Sequence, residues 1–123
     1  MGISEMNKGN GELIADIDGQ LYFKAETFIF HKLQKDLVIQ GETKDKPFLN
    51  VTFCVPYILS VEVPHKISLY KGEQGWGTTA GGLIEASASV TITINRERNG
   101  ASGTVDFPMV DGRKLTADFS VWE

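Results

Sequence analysis

Residues 71–82, KGEQGWGTTAGG, hold a spacing that could cradle phosphate. Gly75-Trp76-Gly77-Thr78-Thr79-Ala80 fits the G-x-G-x-x-G/A spelling of a dinucleotide-binding turn, and the strand-like run Lys66-Ile67-Ser68-Leu69-Tyr70 precedes it. Such a turn works by opening a helix, whose free N–H groups then hold the pyrophosphate. Here the chain goes on as Gly81-Gly82-Leu83-Ile84-Glu85-Ala86, and by Ser89-Val90-Thr91-Ile92 its spacing is that of a strand. Paired glycines disfavour a helix start, and no Gly-Lys-Ser/Thr of a P-loop occurs. The nucleotide reading is rejected, and no cofactor is expected. The stretch is expected instead to connect two strands with Trp76 at its tip. There the indole either folds over an open edge of the core or anchors a ligand or partner.

Other reactive residues are sparse. His31 and His65 form no H-x-H or H-x-x-x-H pair, so no metal site is expected. There is no G-x-S-x-G elbow, and no local signature of a catalytic triad. Cys54, the single cysteine, lies among Leu49–Val55; it makes no internal disulfide and reads as a buried, inert thiol. Outward carboxylates at Asp16, Asp18, Asp106 and Asp118 could serve glycoside hydrolysis, although acids on a half-solvated sheet ordinarily solubilise it and protect its edges. Arg96 and Arg98 flank Glu97 just before Asn99-Gly100, a hairpin tip or a pair of guanidiniums for a carboxylate. The binding candidates are therefore Trp76, Tyr57, Tyr70, Arg96 and Arg98; no catalytic residue and no metal ligand stand out.

The elements that must position these residues follow from hydrophobic period. Leu13, Ala15 and Ile17 alternate with polar neighbours up to Asp18-Gly19, a strong hairpin signal. Leu21, Phe23 and Ala25 alternate next, and Thr27-Phe28-Ile29-Phe30 is apolar on both faces, which predicts a bulge or a doubly covered stretch. Residues 30–35 read as a hairpin loop, 37–40 as a strand, and 42–47 as a charged loop. Leu49, Val51, Phe53 and Val55 share one face until Pro56; Leu59, Val61 and Val63 alternate until Pro64; Ile67 and Leu69 follow. In the last third, residues 89–94, 104–107 and 115–121 alternate around turns at Asn99-Gly100 and Asp111-Gly112, which reads as an antiparallel meander. On that last strand Thr116, Asp118, Ser120 and Trp122 face away from the apolar set.

These patterns predict an all-β, antiparallel fold of about eight or nine strands: a two-sheet β-sandwich first, a closed lipocalin-like β-barrel as the alternative. At 123 residues one domain is expected, with residues 1–11 a flexible N-terminus and 12–123 a single all-β domain. The expected core includes Leu13, Ile17, Leu21, Phe23, Ile39, Val51, Phe53, Val61, Leu69, Val90, Ile92, Ile94, Val105, Phe107, Leu115, Phe119 and Val121. A net charge of −4 with scattered basic residues speaks against nucleic acid as a partner. No apolar run approaches the ~20 residues of a membrane-spanning helix. The opening MGISEMNKGNGE has no apolar segment of a secretory signal.

Ala15-Asp16-Ile17-Asp18-Gly19-Gln20 followed by an aromatic strand resembles the start of small bacterial envelope lipoprotein domains of unknown function. Ser89–Ile94, Ser102–Phe107 and Leu115–Val121 are similar to their closing meander. The resemblance implies an antiparallel sandwich-like domain at the cell envelope, and it brings no catalytic residue with it. The functional expectation is a non-enzymatic binding or interaction module whose partner is a protein or a carbohydrate. The alternatives are a small-ligand carrier with a barrel cavity and a carbohydrate-active enzyme using outward carboxylates.

Overall fold

The structure is a computed structural model; it describes residues 8–56, 59–69, 76–78 and 87–123, with Trp76 and Gly77 described in backbone only. Strand β1 (Lys8–Ile17) turns at Asp18-Gly19 into β2 (Gln20–Lys24). Both turn residues have positive φ, 51° and 81°, the conformation that a two-residue type I′ hairpin demands. Strand β3 (Thr27–Lys32) and β4 (Asp36–Glu42) form the next hairpin, and β5 (Asn50–Pro56) pairs with β4. Then come β6 (His65–Ser68), β7 (Trp76–Thr78), β8 (Ser89–Ile94), β9 (Gly100–Pro108) and β10 (Lys114–Trp122). All described pairings are antiparallel, and the strand order is β6-β8-β9-β10-β1-β3-β4-β5-β7, with β2 also on β1.

The sheet is continuous and curls into a nearly closed barrel, so the all-β antiparallel fold takes the barrel form rather than two stacked sheets. The curl brings distant strands together: the rings of Phe53 on β5 and Phe119 on β10 meet at 5.1 Å, although three strands separate them along the sheet. Inward residues alternate along every long strand and fill the interior. Phe30, Ile39, Phe53, Ile92, Phe107 and Leu115 are fully buried there. Burying such side chains contributes about 1.5–3 kcal/mol each.

Several expectations shift. Strand β1 begins at Lys8, so residues 8–11 belong to the sheet rather than to a free terminus; Lys8 and Gly9 pair with Ile29 and Phe28. The register of β1 against β2 shifts between Ala15 and Asp16. Phe23 therefore stays opposite Ala15 and inside, whereas Leu21 faces Asp16 and is 67% exposed. A bulge has moved it to the other face. At Ala25 and Glu26 the chain changes partners: Ala25 N–H donates to the Leu13 carbonyl and Glu26 N–H to that of Glu42, both at 2.9 Å. This break divides one long run into β2 and β3. Residues 59–63, expected as a strand, form a turn in which Glu62 has a left-handed φ of 63°; Val61 is only half-buried, as is Ile17 at the end of β1. Cys54 is half-buried rather than buried, since it stands on the outer face of β5 opposite Val38.

Coiling a sheet this tightly requires backbones to pass close to one another. Gly103 on β9 has φ 157°, and a Cβ there would lie 1.8 Å from the Thr91 carbonyl oxygen. Gly11 on β1 has φ 146°, and its Cβ would lie 2.1 Å from the Ser120 oxygen. Both contacts are with backbone, which cannot swing aside. Gly103→Ala is expected to destabilise the fold by about 2 kcal/mol or more, lowering the melting temperature by roughly 6–12 °C. A variant that melts with the parent would show that the strands can separate there at no cost.

The β9–β10 turn carries a local electrostatic device. The Asp111 Oδ1 accepts from Arg113 N–H at 3.0 Å, and Oδ2 from Arg113 Nε at 2.8 Å. The backbone hydrogen bond from Arg113, aided by its guanidinium, holds the exposed Asp111 carboxyl below the usual carboxylate value. A depressed folded pKa means that the ionised turn is favoured above the unfolded pKa, and that this contribution is lost as pH falls through the folded one. An NMR titration of Asp111 Cγ should give a midpoint below that of a free aspartate. Arg113→Ala should raise it only part of the way, because the backbone donor remains; an unchanged midpoint would remove the guanidinium from the account.

Candidate functional site

Residues that alternate inward on β8, β9 and β10 leave a complementary set outside. Across the meander Thr93 stands opposite Ser102, Ser102 opposite Ser120, and Ser120 opposite Glu12 of β1. One step along, Trp122 stands opposite Gly100. The outer face at this end is thus a row of short hydroxyl side chains beside one large indole. Trp122 is 45% exposed.

The result is a shallow trough of about 300 Å³. Its floor is made of Gly100, Ser102 and Ser120, so it exists because these positions carry almost no side chain. A Cβ on Gly100 would lie 2.9 Å from Asn95 Nδ2 and 3.2 Å from the Trp122 Cβ. Trp122 bounds the trough on one side, and Asn95 and Glu62 contribute an amide and a carboxylate. The Thr93, Ser102 and Ser120 hydroxyls make no hydrogen bond to another described residue.

The turn after β8 holds Asn95 and Glu62 in place. Asn95 N–H donates to the Gly100 carbonyl at 2.9 Å, its Oδ1 accepts from Asn99 N–H at 3.0 Å, and its Nδ2 donates to Asn99 Oδ1 at 2.7 Å. Glu62 N–H donates to the Ile94 carbonyl at 2.7 Å, and Glu62 Oε1 accepts from Arg96 N–H at 3.1 Å. Both walls are therefore set by backbone geometry, which suits a preformed site.

The residues expected from sequence to bind do not converge. Arg98 takes a left-handed φ of 58°, and its guanidinium donates to the Leu59 carbonyl at 2.7 Å, so it braces the 59–62 segment instead of receiving an anion. Arg96 is exposed beside Glu62, with Nε 4.0 Å from the carboxylate. Trp76 is not the tip of a connection: its backbone belongs to β7, which pairs Trp76, Gly77 and Thr78 with Phe53, Thr52 and Val51 along the sheet edge. Tyr57, Tyr70 and the rest of 71–82 lie outside the described residues.

Of the outward acids, Asp16, Asp106 and Asp118 lie on neighbouring rows of one face, and Asp18 stands apart. Asp18 closes the β1–β2 turn, its Oδ1 accepting from Lys114 N–H at 3.0 Å. Asp106 lies 3.8 Å from Lys114 Nζ. Asp118 faces Thr104 and Ile14, one row away from Asp106 and Asp16, which themselves flank Thr116. His65 Nε2 contacts the Ser60 carbonyl at 3.0 Å, and among the described residues no group of three metal-ligating side chains forms. A second groove, of about 380 Å³, lies over Phe28 and Ile29. There Glu26 accepts from Lys44 N–H at 3.0 Å and Glu42 from Asn50 Nδ2 at 3.4 Å, much as Glu62 of the trough accepts from Arg96 N–H.

Trp122 is the functional candidate that the sequence reading passed over. Its signal was present, since it ends an alternating strand on the polar side, and the partner strand carries only glycine and serine there. Among the described residues no helix is long and apolar enough to cross a membrane. Comparisons of the chain with protein-family models, with curated proteins and with solved structures return no match, so any functional reading rests on this geometry and on the motifs.

Proposed function

We propose that the protein is a non-enzymatic binding module whose recognition surface is the outer face of the β8–β9–β10 meander, with the Trp122 trough at its centre. The observation that carries this reading is the half-exposed Trp122 beside a floor of hydroxyls that no other described residue engages, on strands paired within the sheet. Concave surfaces with an aromatic wall and a few placed polar groups are where small ligands and partner side chains bind. The interior supports the module over the carrier, because fully buried phenylalanines and aliphatic side chains occupy the barrel where a cargo would sit. Asp106 lies beside Lys114 and Asp18 closes its turn, which favours the ordinary solubilising role of acids on a sheet over an acid–base pair. Association with the cell envelope rests on the hairpin and meander motifs alone.

Amide-shift mapping against a mixed library of saccharides, short peptides and acyl compounds tests this. Saturable shifts should cluster at residues 93–102 and 120–122. Shifts confined to interior positions such as Phe53 and Phe107 would instead mark a carrier, and turnover of a glycoside would mark an enzyme.

A further inference from the structure

We infer that the ligand class of this trough is a neutral saccharide, seated with one sugar ring against the Trp122 indole; the inference rests on the binding reading above. A pyranose ring is amphiphilic. Its C–H face is apolar and slightly positive, which suits the negative face of an indole, and its rim is a belt of hydroxyls that both donate and accept. The trough has the matching arrangement. Trp122 supplies the platform, while Ser102, Ser120 and Thr93 supply hydroxyls that no other described residue engages. Asn95 adds an amide and Glu62 a carboxylate. At about 300 Å³ the space is at the low end of small-molecule sites and suits a short saccharide.

The same features argue against other ligands. A peptide that adds a strand needs an open sheet edge, whereas the trough lies mid-sheet, where β9 is paired on both sides. A floor of glycine and serine offers no apolar pocket to a side chain or an acyl chain. Phosphate and uronate would meet the Glu62 carboxylate, offset only by an exposed Arg96 with Nε 4.0 Å away, on a chain of net charge −4. A neutral hydroxyl pair, by contrast, can donate to that carboxylate in a charge-assisted hydrogen bond.

The test uses the full chain with Trp76→Phe, which leaves Trp122 as the only indole. Binding is followed by isothermal titration calorimetry, and by indole fluorescence wherever Trp122 is kept, during titration with neutral gluco-, manno- and chito-oligosaccharides and, in parallel, with uronate oligosaccharides. Two further variants address separate parts of the site: Trp122→Ala removes the platform, and Ser102→Leu fills the floor without touching the indole. Both positions face solvent, so melting temperatures should stay close to the parent. Should Trp122→Ala fail to fold, Ser102→Leu carries the test. At least one neutral series should bind saturably, each variant should weaken it by about tenfold or more, and uronates should bind at least about tenfold more weakly. Tighter binding of uronates would overturn the inference. Neutral saccharides that stay silent while another compound shifts residues 93–102 would end the sugar assignment and leave the binding module standing. Saccharide binding untouched by either variant would overturn both.

Discussion

Strand β1 is hydrogen-bonded into both halves of the sheet, and the remaining architecture depends on that shared pairing. On one side Asn10–Ile17 run antiparallel to Trp122–Leu115 of β10. On the other, Ile14–Ile17 hold β2 while Lys8 and Gly9 hold β3. One strand therefore welds the C-terminal meander to the β3–β4–β5 ladder, and it must bend to do so. Gly11, at the crossing with Ser120, permits the approach that any side chain would block. The bulge at Ala15–Asp16 and the change of partners at Ala25–Glu26 complete the turn. A flat sheet of this length would expose its apolar face; the bent one closes over it.

Once the sheet is closed, the outer face of the meander follows from alternation. Residues that alternate along the strands with Ile92 and Ile94, with Ala101 and Val105, and with Phe119 and Val121 must point outward. At the end of the meander these are Thr93, Gly100, Ser102 and Ser120, and small residues beside Trp122 turn a plain wall into a trough. The β9 and β10 strands beneath are paired on both sides, so the backbone positions that carry these side chains are set without a ligand. Such preorganisation reduces the ordering cost of binding.

Much of this was legible in the residues. Alternation marked the meander and much of the core, though not Phe30 or Met109, because a period of two on a half-buried strand is a direct consequence of pleating. Asp18-Gly19 gave its hairpin for an equally direct reason, the need for two positive φ angles. Leu21 was misplaced because a bulge inverts faces, and no single residue announces a bulge. Residues 59–63 alternate like a strand, but two prolines bracket them and Glu62 takes a left-handed turn to reach Ile94. Whether the sheet would curl or split was beyond local pattern, since that depends on long-range pairing of β1. Arg98 looked like an anion receptor because sequence shows the charge but not the Leu59 carbonyl that receives it. Trp76 attracted notice by its glycine neighbours; Trp122 shares a surface with residues about twenty positions away, and only the register shows it.

The most direct test of the central claim is a crystal structure grown with a neutral oligosaccharide at saturating concentration. The account predicts density for a sugar ring stacked on the Trp122 indole, with ring hydroxyls within hydrogen-bonding distance, about 3 Å, of Ser102, Ser120 or Asn95. Density for the saccharide elsewhere on the barrel, with the trough holding only solvent, would contradict it.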